Sequence, residues 1–246
     1  MNNAMKTPNV SSFIERRFAL AQHPLGRFYL NVHVELQRLR AFWLAHGSDV
    51  FKRAFDIVVS SVLLVALFPL LLFIALLVKL EDGGPVLFTQ TRVGRFGRTF
   101  KMYKIRSMCL DAEQRLKDLL EQNHHNEGVT FKIKDDPRIT CVGKWLRKLS
   151  FDELPQIFNV FIGNMSLVGP RPPVPREVER YSPADRRRLT IKPGITCIWQ
   201  ISGRSEIDFS GQVKLDVNYI ENQSFWQDMK ILTLTLPAVI SGRGAC

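Results

Sequence analysis

The stretch IVVSSVLLVALFPLLLFIALLV, Ile57 to Val78, carries no charge in an otherwise strongly basic chain, and Pro69 stands in its middle. As straight helix these residues would rise about 33 Å, against roughly 30 Å of bilayer hydrocarbon. Pro69 has no N–H for the carbonyl of Val65 and its ring crowds that turn, so a helix here is expected to bend or break at Phe68-Pro69. Length permits a single span. The proline permits a segment that enters a bilayer and turns back.

Charge on the flanks bears on the choice, because cytoplasmic ends of membrane helices collect Lys and Arg. Arg38, Arg40, Lys52 and Arg53 precede the run; Lys79, Arg92, Arg95, Arg98, Lys101, Lys104 and Arg106 follow it. A single pass would put one cluster on the wrong side. A re-entrant helical hairpin kinked at Phe68 and Pro69 keeps both ends in the cytoplasm, provided protein shields the bend, since lipid cannot satisfy freed backbone groups. The Pro-kinked single span stands as the alternative.

The chain has 246 residues and 46% hydrophobic content, enough for one large domain or two small ones. The polar first dozen residues and the absence of an A-x-A-like site after the apolar run argue against a cleaved signal and for a cytoplasmic location. Lys plus Arg exceed Asp plus Glu by 34 to 23, and the excess divides as +4 before residue 57 and +7 after residue 78. That balance suits an anionic membrane face or a phosphate-rich substrate; nucleic acid would leave residues 57 to 78 without a role. Cys109, Cys141, Cys197 and Cys246 are far apart, without C-x-x-C spacing, so neither a zinc site nor a disulfide framework is expected. The adjacent pair His124-His125 has no third ligand nearby and reads as a solvated loop.

Along the chain, residues 1 to about 12 read as disordered. From Phe28 to His46, Val32, Leu36, Leu39 and Trp43 recur at helical spacing, an amphipathic helix that lies at a membrane interface or packs on protein. Three regions are expected: a 1–50 extension, a 51–80 membrane helix and an 81–246 cytoplasmic catalytic domain. Val86 to Gln90 and Thr99 to Ile105 read as a β-hairpin carrying Arg92, Arg95 and Arg98 at its tip. Helices are expected over Asp111–Gln122, Gly143–Leu149, after Phe151, near Arg176–Tyr181 and Asp185–Leu189, and at Asp216–Tyr219 and Trp226–Ile240. Gly163 to Pro173 reads as a rigid loop around Arg171.

The densest chemical cluster is Arg147-Lys148-Leu149-Ser150-Phe151-Asp152-Glu153-Leu154-Pro155-Gln156. Ser150-x-x-Glu153 fits a capping box, although Pro155 suits a helix capped at Asp152 better. An acidic pair among cations also fits pyrophosphate chemistry, in which one carboxylate attacks phosphorus or holds a divalent cation while arginines neutralise phosphate oxygens.

These motifs resemble the bacterial sugar transferases, the monotopic polyprenyl-phosphate phosphoglycosyl transferases. The likeness runs in order through Phe51-Lys52-Arg53-Ala54-Phe55-Asp56, the Pro-broken run, Phe88-Thr89-Gln90, Tyr103-Lys104-Ile105-Arg106-Ser107-Met108, Leu149 to Gln156, Asn164 to Pro172, Lys192-Pro193-Gly194-Ile195-Thr196 and Ser202-Gly203-Arg204, ending at Arg243-Gly244-Ala245. It implies an α+β, predominantly helical, monotopic membrane protein on the cytoplasmic face of a bacterial inner membrane. The implied reaction moves a sugar 1-phosphate from a UDP-sugar to polyprenyl phosphate and releases UMP. By similarity Asp152 is the nucleophile and Glu153 its partner, with Mg²⁺ beside Asp152; Lys104, Arg147, Arg171 and Arg204 match positions that contact phosphate or shape the site. The likeness leaves a homo-oligomer open and assigns no nucleic-acid partner. Cys197 stands where the family usually has glycine. About fifty residues precede the core here, where larger members carry several transmembrane helices. A scaffold that binds anionic lipid or partner enzymes through its basic surface is the rival reading; it would need neither Asp152 nor Glu153.

Overall fold

The computed structural model describes residues 10–112, 114–115, 136–203 and 207–241. Contacts divide the chain into Met1–Phe51 and Lys52–Cys246. The first unit holds α1 (Val10–Ala21) and the start of α2 (Pro24–Asp82). Val10 to Ser12, expected to be disordered, are already helical, and α1 is an element the apolar pattern did not single out. Pro24 opens α2, where its missing N–H costs nothing. Gly26 permits the tight return, since a Cβ there would fall 1.9 Å from the carbonyl oxygen of Leu20.

Within α2, Gly47–Asp82 is long and apolar enough to cross a membrane, with a mean hydropathy of 3.0 in its most apolar window. Only 11% of that window is buried, which a soluble core helix would not tolerate. Pro69 lies inside α2, which is one helix on both sides of it rather than two separate arms. Phe68 is exposed.

The second unit begins with polar ties at the start of the apolar run. Lys52 pairs with buried Asp228, and Arg53 donates to the carbonyl oxygens of Val160 at 2.6 Å and Phe161 at 2.7 Å. Buried Asp56 accepts from the Leu167 N–H at 3.1 Å. At the far end, Arg106 grips both carboxylate oxygens of Asp82 and donates to the Pro85 carbonyl at 2.6 Å. That guanidinium holds Asp82 down at about 2. Glu81 accepts from the Val142 N–H at 3.0 Å. Between these ties Ile74 and Val78 are buried against Ile105 and Leu146.

The expected hairpin is present as β1 (Leu87–Val93) and β2 (Thr99–Ile105), antiparallel, with Leu87 opposite Ile105 and Val93 opposite Thr99. A 3-10 turn at Arg95–Gly97 joins them, with Phe96 and Gly97 at φ of 57° and 78°. β1 runs three residues further than expected. Arg92 therefore belongs to the strand, half-buried, and not to the tip with Arg95 and Arg98. The outer edge of β2 is closed by a side chain: fully buried Asn159 accepts from the Tyr103 N–H at 3.0 Å and donates to the Lys101 carbonyl at 2.8 Å. One amide thus does the work of a third strand on an edge that would otherwise be unpaired.

Beyond residue 136 come α3 (Cys141–Lys148), a 3-10 turn at Phe151–Glu153, α4 (Gln156–Ile162), β3 (Ser166–Val168) and α5 (Pro175–Glu179). A 3-10 segment at Asp185–Leu189, β4 (Gly194–Thr196), α6 (Ile198–Ser202), α7 (Phe209–Glu221) and α8 (Phe225–Ser241) follow among the described residues. The helix expected over Asp111–Gln122 lies mostly outside the described residues, as does the His124-His125 loop. β3 and β4 pair in parallel, Ser166 with Gly194 and Val168 with Thr196, where the sequence pattern suggested only a rigid loop. Glycine is needed at this crossing, because a Cβ on Gly194 would lie 2.1 Å from the Gly169 nitrogen. The main core joins Met102 of β2, Val160 of α4, Leu167 and Val168 of β3, Tyr219 of α7 and Ile231 of α8.

Candidate active site

The acidic pair sits where one helix ends and another starts. Thr140 caps α3 by accepting from the Gly143 N–H, and the helix stops at Lys148 because Ser150 turns left-handed, at φ 56° and ψ 23°. Phe151, Asp152 and Glu153 form the 3-10 turn, and Leu154 and Pro155 lead into α4. The expected capping box does not form: the Ser150 side chain caps nothing. Asp152 is not the cap either. Pro155 stands immediately before α4, where no intrahelical N–H is required.

The two carboxylates have opposite surroundings. Glu153 accepts from Lys104 Nζ at 2.9 Å and from Arg171 Nη2 at 3.4 Å. Burial pushes its carboxyl up, but Lys104, Arg171 and Arg92 outweigh that and hold it at about 2. Asp152 is 8% exposed and, among the described residues, accepts no hydrogen bond. Burial raises its carboxyl above the ordinary aspartate value; Lys104 opposes this, Glu153 adds to it, and Arg147 and Arg171 oppose it. One acid is therefore clamped and ionised, and the other is buried with its oxygens uncommitted.

Each cation comes from a different element. Lys104 is on β2, beside the turn that carries Glu153. Arg147 is in the last turn of α3, donates through Nε to Ser107 Oγ at 2.9 Å and is driven below its ordinary pKa by burial, with Asp152 the largest opposing influence. Arg171 follows β3 in a loop fixed from two sides. Gly169 N–H reaches the Thr196 carbonyl at 3.0 Å, Gly194 N–H the Pro170 carbonyl at 2.9 Å, and Val93 N–H the Pro173 carbonyl at 2.9 Å.

Of the residues singled out by sequence, Asp152, Glu153, Lys104, Arg147 and Arg171 come together. Arg204 lies outside the described residues. Phe68 and Pro69 take no part in this cluster.

Three supporting residues were missed. Arg92 donates to the Pro172 carbonyl at 2.9 Å while its Nε and Nη2 are held by Gln90 at 3.1 and 2.7 Å, so it steadies the Arg171 loop. Burial and the neighbouring Arg171 lower its pKa to about 10. Buried Gln156 lines a small cavity with Arg92 and Arg171, and Ser107 orients Arg147. Extending the strand alternation to Val93 would have moved Arg92 off the tip; nothing local marks the other two. Cys197 is buried with extended backbone at φ −151°, and its Sγ donates to Gln200 Oε1 at 3.2 Å, so the position does not need glycine's freedom.

The donor set is compatible with a hard divalent cation. Among the described residues no cluster of three or more His, Cys, Asp or Glu side chains forms a protein cage. Asp152 accepts no hydrogen bond among the described residues and Glu153 is bound only through Oε1, so carboxylate oxygens are left for a cation; Mg²⁺ is commonly held by one or two carboxylates with substrate phosphates supplying the rest.

The sequence profile of a family described as bacterial sugar transferase matches residues 47–242. The galactosyl transferase CpsE of Streptococcus agalactiae is 58% identical over 166 residues, covering 67% of this chain and 37% of the relative. The undecaprenyl-phosphate galactose phosphotransferase of Salmonella typhimurium is 42% identical over 221 residues, covering 89% of this chain and 46% of the relative. The exopolysaccharide production protein ExoY of Sinorhizobium fredii is 42% identical over 199 residues, covering 80% and 88%. The chain thus spans less than half the length of the first two and most of the third.

Proposed function

We propose, because the chain belongs to the bacterial sugar transferase family, that it transfers a sugar 1-phosphate from a UDP-sugar to polyprenyl phosphate at a membrane surface. Relatives named as undecaprenyl-phosphate galactose and glucose phosphotransferases support sugar-phosphate transfer to the lipid phosphate. A carboxylate oxygen of Asp152 attacks the phosphorus that bears the sugar. The bond from that phosphorus to the bridging oxygen breaks, and UMP leaves with the electron pair. A phosphate oxygen of the lipid then attacks the same phosphorus, displaces Asp152 and leaves the sugar on a polyprenyl diphosphate.

The observation that carries this reading is the contrast within the acidic pair: Glu153 is tied to Lys104 and Arg171, whereas buried Asp152 accepts no hydrogen bond among the described residues. Lys104, Arg147 and Arg171 would spread the charge of diphosphate and lipid phosphate, with Glu153 keeping two of them in position. Mg²⁺, held at Asp152 and the diphosphate, would supply Lewis-acid neutralisation of phosphate charge.

The membrane geometry is part of the same proposal. Lys52, Arg53 and Asp56 at one end of the apolar run and Glu81 and Asp82 at the other all bind the unit that carries Asp152. A spanning helix would place those ties on opposite sides of roughly 30 Å of hydrocarbon. A segment bent within the bilayer at Pro69 keeps both ends, and the active site, at the cytoplasmic face of the inner membrane.

Incubation with radiolabelled UDP-sugar in the absence of lipid should leave label on the protein and release UMP. Asp152→Asn should leave none. Strictly ternary-complex kinetics with no adduct would remove the covalent route.

A further inference from the structure

We propose that residues 25–50 of α2 form a parallel two-stranded coiled coil with a second copy of this chain. One face of this segment carries a 4-3 spacing: Val32 and Leu39 take d positions, and Tyr29, Leu36, Trp43 and Val50 take a positions. Leu25 begins the seam at a further d position, and polar His46 is the remaining d residue. The stripe is exposed, from 41% at Val32 and Val50 to 84% at Leu25, with Leu36 at 49% and Leu39 at 53%. Within the first unit α1 does not cover it. Ile14 and Phe18 of α1 instead line a groove with Leu30 and Val34, which lie on the other side of α2.

The flanking charges choose the occupant and its direction. Glu35 is at g and Arg40 at the e position five residues on, so in a parallel pair each Glu35 faces Arg40 of the other copy. An antiparallel pair would bring g against g, where the other residues are Phe28, Phe42 and Asp49 and give Glu35 no cation. A lipid surface fits less well. Residues 24–51 carry Arg27, Arg38 and Arg40 against Glu35 and Asp49, a weak net charge for anionic headgroups. In the single chain Glu35 is held at 2.7 Å by Arg38, an exposed i,i+3 pair of small worth that a partner's Arg40 can replace or share.

The test uses the full chain in lipid nanodiscs. With Leu36→Cys, mild oxidation should give a covalent dimer at least tenfold more efficiently than with Gln37→Cys, one residue off the seam and carrying the same native cysteines. Glu35→Arg or Arg40→Glu alone should cut the Leu36→Cys yield severalfold, and the two together should restore it. Equal yields at residues 36 and 37, or no recovery in the double exchange, overturn the proposal. So does a monomer whose spin label at residue 36 is relaxed by paramagnetic lipid, an outcome that would place the stripe on the bilayer instead.

Discussion

Replacing each member of the acidic pair by its neutral isostere should separate stability from chemistry. Glu153 is held at about 2 against an ordinary 4.5, so its ionised form is favoured in the fold. Taken at about 1.4 kcal/mol per tenfold change in proton affinity, this corresponds to about 3 kcal/mol as an upper value. Because the folded-state value is depressed, that stability is present above pH 4.5 and is lost as pH falls through about 2. Glu153→Gln removes it and leaves Lys104 and Arg171 facing a neutral amide. For a unit of this size the melting temperature should drop by roughly 5–10 °C. Asp152 has the opposite sign. Its folded-state value is raised chiefly by burial, so ionisation at neutral pH opposes folding, and Asp152→Asn should melt at or above the wild-type temperature while forming no phosphosugar adduct. Both readings come from scanning fluorimetry in one detergent at pH 7, with adduct trapping alongside. If Glu153→Gln melts with the wild type, or Asp152→Asn loses as much as Glu153→Gln, the contrast drawn between the carboxylates is wrong.

Other outcomes follow from the same contacts. The rate of adduct formation should fall on the acid side at a pH above that of an ordinary aspartate, and in Lys104→Met this limb should move to higher pH, because Lys104 is the foremost cation holding Asp152 down; an unmoved limb would assign the titration to another group. Arg106→Ala should cost about 1–2 kcal/mol, measured by denaturant unfolding, since it removes the bonds to solvent-accessible Asp82 and frees the Pro85 carbonyl. Asn159→Leu should cost about 2–4 kcal/mol by exposing two backbone groups of β2 to an apolar side chain, and a near-neutral effect would mean water replaces the amide. Single cysteines at Asp49 and Gly83 should both be modified by an impermeant reagent from the cytoplasmic side; labelling from opposite sides would establish a spanning helix.

Much of the fold was legible because its signals are local. The uncharged run at Ile57–Val78, the turn-bounded hairpin and the amphipathic helical spacing after Phe28 depend on neighbours within a few positions. The acidic pair Asp152-Glu153 could be singled out for the same reason: its two carboxylates are adjacent in the chain. β3 and β4 were not legible, because each has three residues and exists only through pairing with a segment some thirty residues away. Nor was the role of Asn159, which needs β2 beside it before its amide can replace a strand.

The sequence by itself determined that this chain holds an apolar segment of bilayer length and a carboxylate pair in a strongly basic chain, since both are properties of composition and order. Only the tertiary structure decided how the two acids differ. Lys104 and Arg171 arrive from β2 and from the loop after β3 to bind Glu153, while the same packing buries Asp152 without a described donor. It also decided that both ends of the apolar run bind one unit, through Asp228, Val160 and Leu167 on one side and Arg106 and Val142 on the other. Electrostatic environment depends on distance in space, and these partners lie up to 176 residues apart in the chain.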